Sequence, residues 1–459
     1  MADMTGKELI SENSEEIVEM QPLLSTPNST GLSSNHSEQH MEDKVMVDIK
    51  QIIEESKDGC LPPTCCIYRV PPTIRHLNEE AYTPKLISIG PFHYGHKRLQ
   101  EMEAHKKIFF KAFTQRAKSR LDDLVRFVKH SEPKVRASYS ENIKLNEEEL
   151  VKLILVDGGF IIELFMRYHN FDQEIPNDAK LSQPWLASTI KDDLVLLENQ
   201  LPYFVIEELF NIAFPADHHD DLPSFLDLSY KYFKYFNIQY LRPNTDVCIK
   251  HFTDLLRLFY LPTKLPMRNL FTEVISNYVL LYGANELQEA GVKLKASTSK
   301  CSLDLKFSGH TLEISQILVE DRTEMLFRNM IALEQCHYHS QSYIIDYVVL
   351  MDWLINTHKD VDVLVHKEIM ATSVGDANNV VTLVNGLGIN VLHLGFNSEY
   401  TDICRRLNGF CEHWWHKKKV TLRRDYCRTP WQFVVSIAGI ILVILSVVQT
   451  LFSILQVVK

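Results

Sequence analysis

Through most of the chain, apolar residues return at steps of three and four, the period of a helix with one buried face. Leu99, Met102, Ile108, Phe109, Ala112, Phe113, Ala117, Leu121, Leu124, Val125 and Val128 predict one helix from Leu99 to His130. Pro133 is its expected stop. Asn146 with Glu149 predicts a helix start, and Leu150, Leu153, Ile154, Ile161, Leu164, Phe165 and Tyr168 carry its face. Gly158-Gly159 is expected to interrupt it. Pro184 to Ala213 predicts two helices joined at Asn199-Gln200-Leu201-Pro202. Further helices are predicted at 225–236, 246–260, 280–290, 322–336, 342–357, 360–370, 376–387 and from Asp402 to about Lys419. Gly291 suits the position after a helix end. A short helix is predicted from Val45 to Glu55. No internal repeat is visible.

Three stretches depart from this period. Val292-Lys293-Leu294-Lys295 and Leu303-Asp304-Leu305-Lys306-Phe307 alternate, and Leu312-Glu313-Ile314 follows a turn at Ser308-Gly309-His310, which predicts a β-hairpin. Pro62 to Arg75 carries four prolines, which fix φ and remove donors, so it should be extended and irregular. Tyr82 to Gly95 reads as a short strand or extended strip closed by Gly90-Pro91.

The most apolar stretch is the last, with no charge from Trp431 until Lys459. An uncharged run longer than about 18 residues predicts a transmembrane helix, and about 20 apolar residues cover a hydrocarbon core of roughly 30 Å. Its expected anchoring residues are Trp431, Phe433, Ile440, Ile441, Leu442, Ile444 and Leu445. Ser436, Gln449, Thr450 and Ser453 weaken the pattern, and a buried core helix is the competing reading. Lys417, Lys418, Lys419, Arg423, Arg424 and Arg428 precede the run, which predicts a cytosolic flank against anionic lipid headgroups. Cys427, beside the run, is a candidate for S-palmitoylation, against an unmodified thiol. The expected location is a membrane, single-pass and tail-anchored with the body in the cytosol, at the plasma membrane rather than an endomembrane.

The fold class is therefore mainly α: a multi-helix globular body with a small β-hairpin and one C-terminal transmembrane helix. Residues 1–44, rich in Ser, Glu and Asn, are expected to be a disordered acidic extension. Residues 60–416 form the helical domain, 417–430 a basic juxtamembrane segment and 431–458 the anchor. A chain of 459 residues that is 45% hydrophobic can build a sizeable core. Its net charge of -11 argues against nucleic acid as a partner. Nine cysteines are scattered without a CxxC pair, so reduced thiols are expected.

Candidate chemistry is sparse. Phosphate-binding, serine-hydrolase, metalloprotease and kinase motifs are absent. The densest polar run is Lys191-Asp192-Asp193-Leu194-Val195-Leu196-Leu197-Glu198-Asn199-Gln200. Asp192 or Asp193 with Glu198 could serve as an acid/base pair. The stronger reading is solvated side chains, or a hydrogen-bonded network at the Pro202 kink, where freed backbone groups need partners. His218-His219-Asp220-Asp221 reads as a solvated loop before a metal site. Glu334, Cys336, His337 and His339 read as ordinary core or surface residues before a metal set or a Cys–His nucleophile. His105 reads as part of a solvated helix face. No cofactor or metal is expected.

Several segments together resemble the plant-specific family named domain of unknown function 247. They are Cys66-Ile67-Tyr68-Arg69-Val70-Pro71, Tyr82 to Gly95, Glu103-Ala104-His105-Lys106, Val156 to Leu164, Asp193 to Phe204, Ala284-Asn285-Glu286-Leu287 with Ala290-Gly291-Val292, Phe327 to Gln335 and the final helix. The resemblance spans roughly Cys60 to the C-terminus. It implies a plant protein, a largely helical body and a C-terminal anchor, and it supplies no catalytic residues. Members are linked to self-incompatibility in grasses. A proline pair common in the family is replaced here by Ser315-Gln316.

The functional expectation is a membrane-anchored recognition or interaction module, not an enzyme, that presents surfaces around 303–314 and 322–336. Its expected partners are membrane lipid and a protein. The alternatives are an enzyme of unrecognised type using Asp193 and Glu198, and a pollen self-incompatibility-type recognition component.

Overall fold

The computed structural model describes residues 44–50, 61–170, 183–215, 222–270, 279–412 and 430–457. The chain divides into two units, Met1–Cys60 and Leu61–Lys459. In the first, residues 44–50 are helical, as the spacing of Val45 and Ile49 predicts; the extension 1–43 lies outside the described residues. All that follows concerns the second unit.

Three helices open it: α1 (Gln100–Arg116), α2 (Leu121–Arg136) and α3 (Glu147–Asn170). Both α1 and α2 pack on α3. Phe160, Ile161, Ile162 and Phe165 on α3 are fully buried, and each such side chain contributes about 1.5–3 kcal/mol. Next come α4 (Pro184–Asp193), α5 (Tyr203–Ala213), α6 (Phe225–Tyr232) and α7 (Phe252–Tyr260). A capping box between Ser224 and Asp227 starts α6. Aromatic rings fasten α6 to α3: Phe165 stacks on Tyr232 at 4.3 Å and meets Phe233 edge-on at 5.6 Å.

The second half mixes short strands with helices. It contains β1 (Arg268–Leu270), α8 (Ala284–Glu289), β2 (Lys293–Ala296), β3 (Leu305–Ser308), β4 (Thr311–Ile314) and β5 (Ile317–Val319). Then follow α9 (Thr323–Cys336), α10 (Tyr343–Leu354), α11 (His358–His366), β6 (Met370–Thr372), α12 (Ala377–Leu387), β7 (Gly395–Asn397) and α13 (Ser398–Glu412). The expected hairpin is β3–β4, turned at Gly309 with φ of 59°, and β2 joins β4 in parallel. β5 pairs with β6 in parallel, and β1 with β7 antiparallel.

Three helical expectations need correction. The helix predicted from Leu99 to His130 is two, because Lys118 N–H leaves the helical ladder for Ala213 O of α5, at 2.8 Å. Pro133 does not stop α2, which continues to Arg136; proline removes one donor, and its own carbonyl still accepts from Ala137. Gly158-Gly159 does not interrupt α3. A Cβ on Gly159 would stand 2.5 Å from Phe110 Cδ2 and 2.9 Å from Phe113 Cδ1, so the residue is small to let α1 close on α3. Residues 82–95 take the extended-strip alternative and not the strand: no ladder forms there among the described residues.

The fourth helical expectation that changes is the membrane anchor. The helix α14 (Pro430–Val457) forms and spans 28 residues. Among the described residues, however, no helix is long and apolar enough to cross a membrane. The apolar run of α14 is broken by Ser436, Ser446, Gln449, Thr450 and Ser453. Thr450 Oγ1 turns back to Ser446 O within it, at 2.7 Å. The lack of a long enough apolar helix among the described residues contradicts the expected transmembrane helix and, with it, the single-pass, tail-anchored topology and the plasma-membrane location with a cytosolic body. Ile440, Ile441, Leu442, Ile444 and Leu445 are exposed on α14. Trp431 and Phe433 belong to it, but their side chains lie outside the described residues, as do Lys417, Lys418, Lys419, Arg423, Arg424, Cys427 and Arg428 entirely.

The paired glycines give a test of the packing. Gly159→Ala should destabilise the protein by about 1–3 kcal/mol through overpacking against Phe110 and Phe113. Gly158→Ala meets only Leu209 Cδ1, at 3.7 Å, and should stabilise by about 0.5–1 kcal/mol. Urea unfolding of both variants checks the sign of each.

Candidate functional site

The proline-rich strip 61–95 has neither strand nor helix for most of its length, and its residues 65–67 and 87–90 are buried. Its backbone polar groups still need partners. The run Asp193 to Gln200 supplies them. Asp193 Oδ1 accepts from Lys85 N–H at 2.9 Å, and its Oδ2 from Leu86 and Ile87 N–H at 2.7 and 2.9 Å. Asn199 Oδ1 accepts from Ile89 N–H at 2.7 Å, while its Nδ2 donates to Ile87 O and Asp193 O. Gln200 closes its own turn by donating to Leu194 O and Leu196 O, and its Oε1 accepts from Phe252 N–H at the start of α7.

Gly90 crosses directly over this turn. A Cβ there would stand 2.2 Å from Gln200 O, and its φ of +72° already favours glycine. Its N–H donates to Asp157 Oδ2 at 2.9 Å. The other oxygen of Asp157 meets Lys106 Nζ at 2.6 Å, and Lys106 also donates to Ser88 O. Burial pushes the Asp157 carboxyl up to about 6 against the pull of Lys106.

Glu198 is the charged centre of the clamp. Its oxygens accept from Arg69 Nη1 at 2.9 Å, Arg75 Nη1 at 2.8 Å and Val70 N–H at 2.8 Å; His93 Nε2 lies 3.3 Å away. Burial works against the charge, but His93, Arg75, Val70 N–H and Arg69 outweigh it and hold the carboxyl below its ordinary range. Asp193 forms no ion pair among the described residues, and burial pushes it up to about 6 despite its three backbone donors.

The two carboxylates singled out in the sequence are thus brought into one network, but each is fully occupied in holding the strip. Asp192 instead faces Arg322, at 3.3 Å. Glu334 is buried and accepts from Arg257 Nε at 2.8 Å and from Ile344 and Ile345 N–H, which caps the start of α10. His337 Nδ1 pairs with Tyr68 Oη at 2.9 Å. No group of three or more metal-ligating side chains occurs among the described residues, and His218, His219, Asp220 and Asp221 lie outside them. His105 is buried, not solvated, and packs on Phe109 in the face of α1 that meets α3. The seven described cysteines are free.

Sequence reasoning missed Lys106 and Asp157. Lys106 sits between Met102 and Phe109 on a buried face, and Asp157 is the lone charge between Lys152 and Glu163 in an apolar run. A charge at a core position is the signal that marks such a pair.

An open feature among the described residues lies elsewhere. A cleft of about 680 Å³ is bordered by the end of β2, the exit of the hairpin at Ser315-Gln316, β5 and the start of α9. Tyr235 forms one wall; its hydroxyl donates to Glu320, and the Arg322 guanidinium lies over its ring at 4.8 Å. Neither Asp193 nor Glu198 borders this cleft.

Residues 67–445 match a family described as plant protein of unknown function, DUF247, and the chain belongs to that family. The UPF0481 protein At3g47200 of Arabidopsis thaliana is 29% identical over 419 residues, covering 86% of this chain and 87% of that protein. A second Arabidopsis UPF0481 protein, At3g02645, is 30% identical over 207 residues, 43% of this chain and 38% of that protein. No solved structure matches.

The clamp predicts two outcomes. Asp193→Ala leaves three backbone N–H groups without their acceptor, and at about 1–3 kcal/mol for each buried unsatisfied donor this exceeds what a marginally stable domain tolerates. The variant should fail to give a cooperative unfolding transition. Glu198→Gln leaves two guanidinium groups beside a neutral amide, and the expected loss at pH 7 is about 3–5 kcal/mol. Because the folded carboxyl is held low, its contribution is present above the unfolded value near 4.5 and fades as pH falls through the folded one. Urea unfolding at pH 7 and pH 3 should therefore show the gap between wild type and variant narrowing in acid.

Proposed function

We propose that this protein is a non-enzymatic recognition module, whose rigid helical body presents the cleft beside the hairpin to a protein partner. The observation that carries this reading is where the carboxylate oxygens point. Asp193 and Glu198, the pair on which an acid/base mechanism would rest, are buried and turned onto backbone N–H groups and arginines. A general acid or base has to reach the proton it transfers, and these two reach only the strip. The cleft, in contrast, has exposed apolar side chains on its walls: Leu318 is 59% exposed, Tyr235 50% and Ile238 37%. Apolar side chains grouped at the mouth of an open cleft mark an interaction site more readily than an apolar side chain standing alone.

The test is affinity capture of the full chain from plant tissue, read by mass spectrometry beside an Ile238→Glu, Leu318→Glu variant and a Lys306→Glu control on the hairpin. A discrete protein should be retained by wild type and the control and lost by the double variant. A bound small molecule that disappears with the same substitutions, with no protein partner, would overturn the reading in favour of an enzyme.

A further inference from the structure

The cleft holds a feature that narrows the partner. β5 has one strand beside it: Ile317 N–H donates to Ile369 O at 2.8 Å, and Val319 O accepts from Ser373 N–H at 3.0 Å. In an extended chain, successive residues turn their N–H and C=O to opposite edges. Residues 317 and 319 face β6, so the N–H and C=O of Leu318 face the other way, where no strand lies among the described residues.

That side opens because two chains part there. β2 runs beside β4 as far as Ser297 N–H, which donates to Ile314 O at 2.8 Å. Beyond it Ser315 N–H bonds to Asp304 O, and residues 296–300 and 315–318 both border the cleft. The edge is short, since Glu320 N–H is already taken by Thr323 Oγ1 at 2.8 Å.

Sheet edges are commonly blunted by charge, and lysine is a frequent choice. The two outer strands of the neighbouring sheet follow this: β2 carries Lys293 and Lys295, and β3 carries Lys306. β5 is Ile317-Leu318-Val319, with no charge and with Leu318 exposed. Lys300, which also lines the cleft, is exposed, and its ammonium lies over the Tyr240 ring at 5.0 Å.

We infer that the partner, on the recognition reading above, enters this cleft as an extended peptide segment that adds to the free edge of β5 through Leu318 N–H and C=O. One residue of an extended polypeptide offers both an acceptor and a donor at strand spacing, which a small ligand does only by chance. An apolar side chain of the segment packs on Leu318 and Ile238, and an acidic one reaches Lys300. Two backbone bonds alone bind weakly, so the apolar anchor and the carboxylate set which sequences are held.

The experiment is selection of short random peptides displayed on phage against the full-length protein, with the Leu318→Pro variant as counter-selection. Leu318 N–H makes no bond to β6, so proline there leaves the β5–β6 ladder intact. The enriched peptide is then synthesised with a single N-methyl group at each position in turn and titrated by fluorescence polarisation. One N-methyl position should weaken binding by about tenfold, the worth of a lost hydrogen bond, and its immediate neighbours should have little effect. Lys300→Ala should weaken the peptide severalfold. Peptides that bind Leu318→Pro as well as wild type, or an N-methyl scan without alternation, would overturn edge addition while leaving recognition standing. Absence of any peptide that depends on Leu318 would overturn it too. Wild type that dimerises in light scattering while Leu318→Pro stays monomeric would assign the edge to a second copy of this chain instead.

Discussion

An irregular backbone buried in a protein must find a partner for each polar group without the help of a ladder, and the strip 61–95 imposes that demand on everything around it. Its prolines exclude it from a sheet interior. Cys66 and Ile67 meet the backbone of Ser138 and Ser140, but from Lys85 to Gly90 the partners are side chains, each set in place by a rigid element. Asp193 ends α4, Asp157 stands in the middle of α3, and Asn199 and Gln200 occupy the turn that leads into α5. Each donates or accepts at a position that only one arrangement of these helices provides. The strip and the helices around it consequently define one another.

Charge follows the same logic. Lys106–Asp157, Arg257–Glu334 and Arg268–Asp346 are buried pairs at 2.6, 2.8 and 2.7 Å. Removing two charges from water costs several kcal/mol per ion, so such pairs contribute little net stability. What they do is penalise any other packing, because a misplaced helix would leave one charge without its partner. Glu334 illustrates the point: one carboxylate ties α9 to Arg257 of α7 and caps α10. Three helices are joined through a single side chain that looked, in the sequence, like part of a loose Glu-Cys-His group.

How much of this was legible differs by the range of the interaction. Helical period is local, and the positions of α3, α4, α5, α9 and α12 follow from it closely. So does the hairpin, where alternation and Gly309 act within a few residues. What was misread depended on distant contacts. Gly158-Gly159 looks like a break until Phe110 and Phe113 are seen pressing on Gly159. His105 looks solvated among charges until α1 is laid on α3. Residues 82–95 read equally as a strand or an extended strip, and what selects the strip is distant, since their acceptors lie more than a hundred residues away in Asp193 and Asn199. The same run raised the acid/base reading: paired carboxylates in a dense polar segment are compatible with catalysis or with clamping, and only the identity of the donors separates the two.

The contrast between the clamp and the cleft bears on how binding would work. The walls of the cleft are tied back into the same scaffold. Tyr400 Oη donates to Leu303 O, Cys301 Sγ donates to Tyr260 O at 3.5 Å, and Ser315 Oγ donates to Asp304 O at 3.1 Å. The hairpin and its exit are thus fastened to α13 and to the end of α7. A surface that is already ordered loses little freedom when a partner arrives, and that loss is a large share of what opposes association. For a site with only one free backbone residue to offer, this pre-ordering is what would let two hydrogen bonds and one apolar contact amount to measurable affinity. The same body that consumes its interior carboxylates in holding one strip in place therefore leaves the uncharged edge of β5 fixed and accessible.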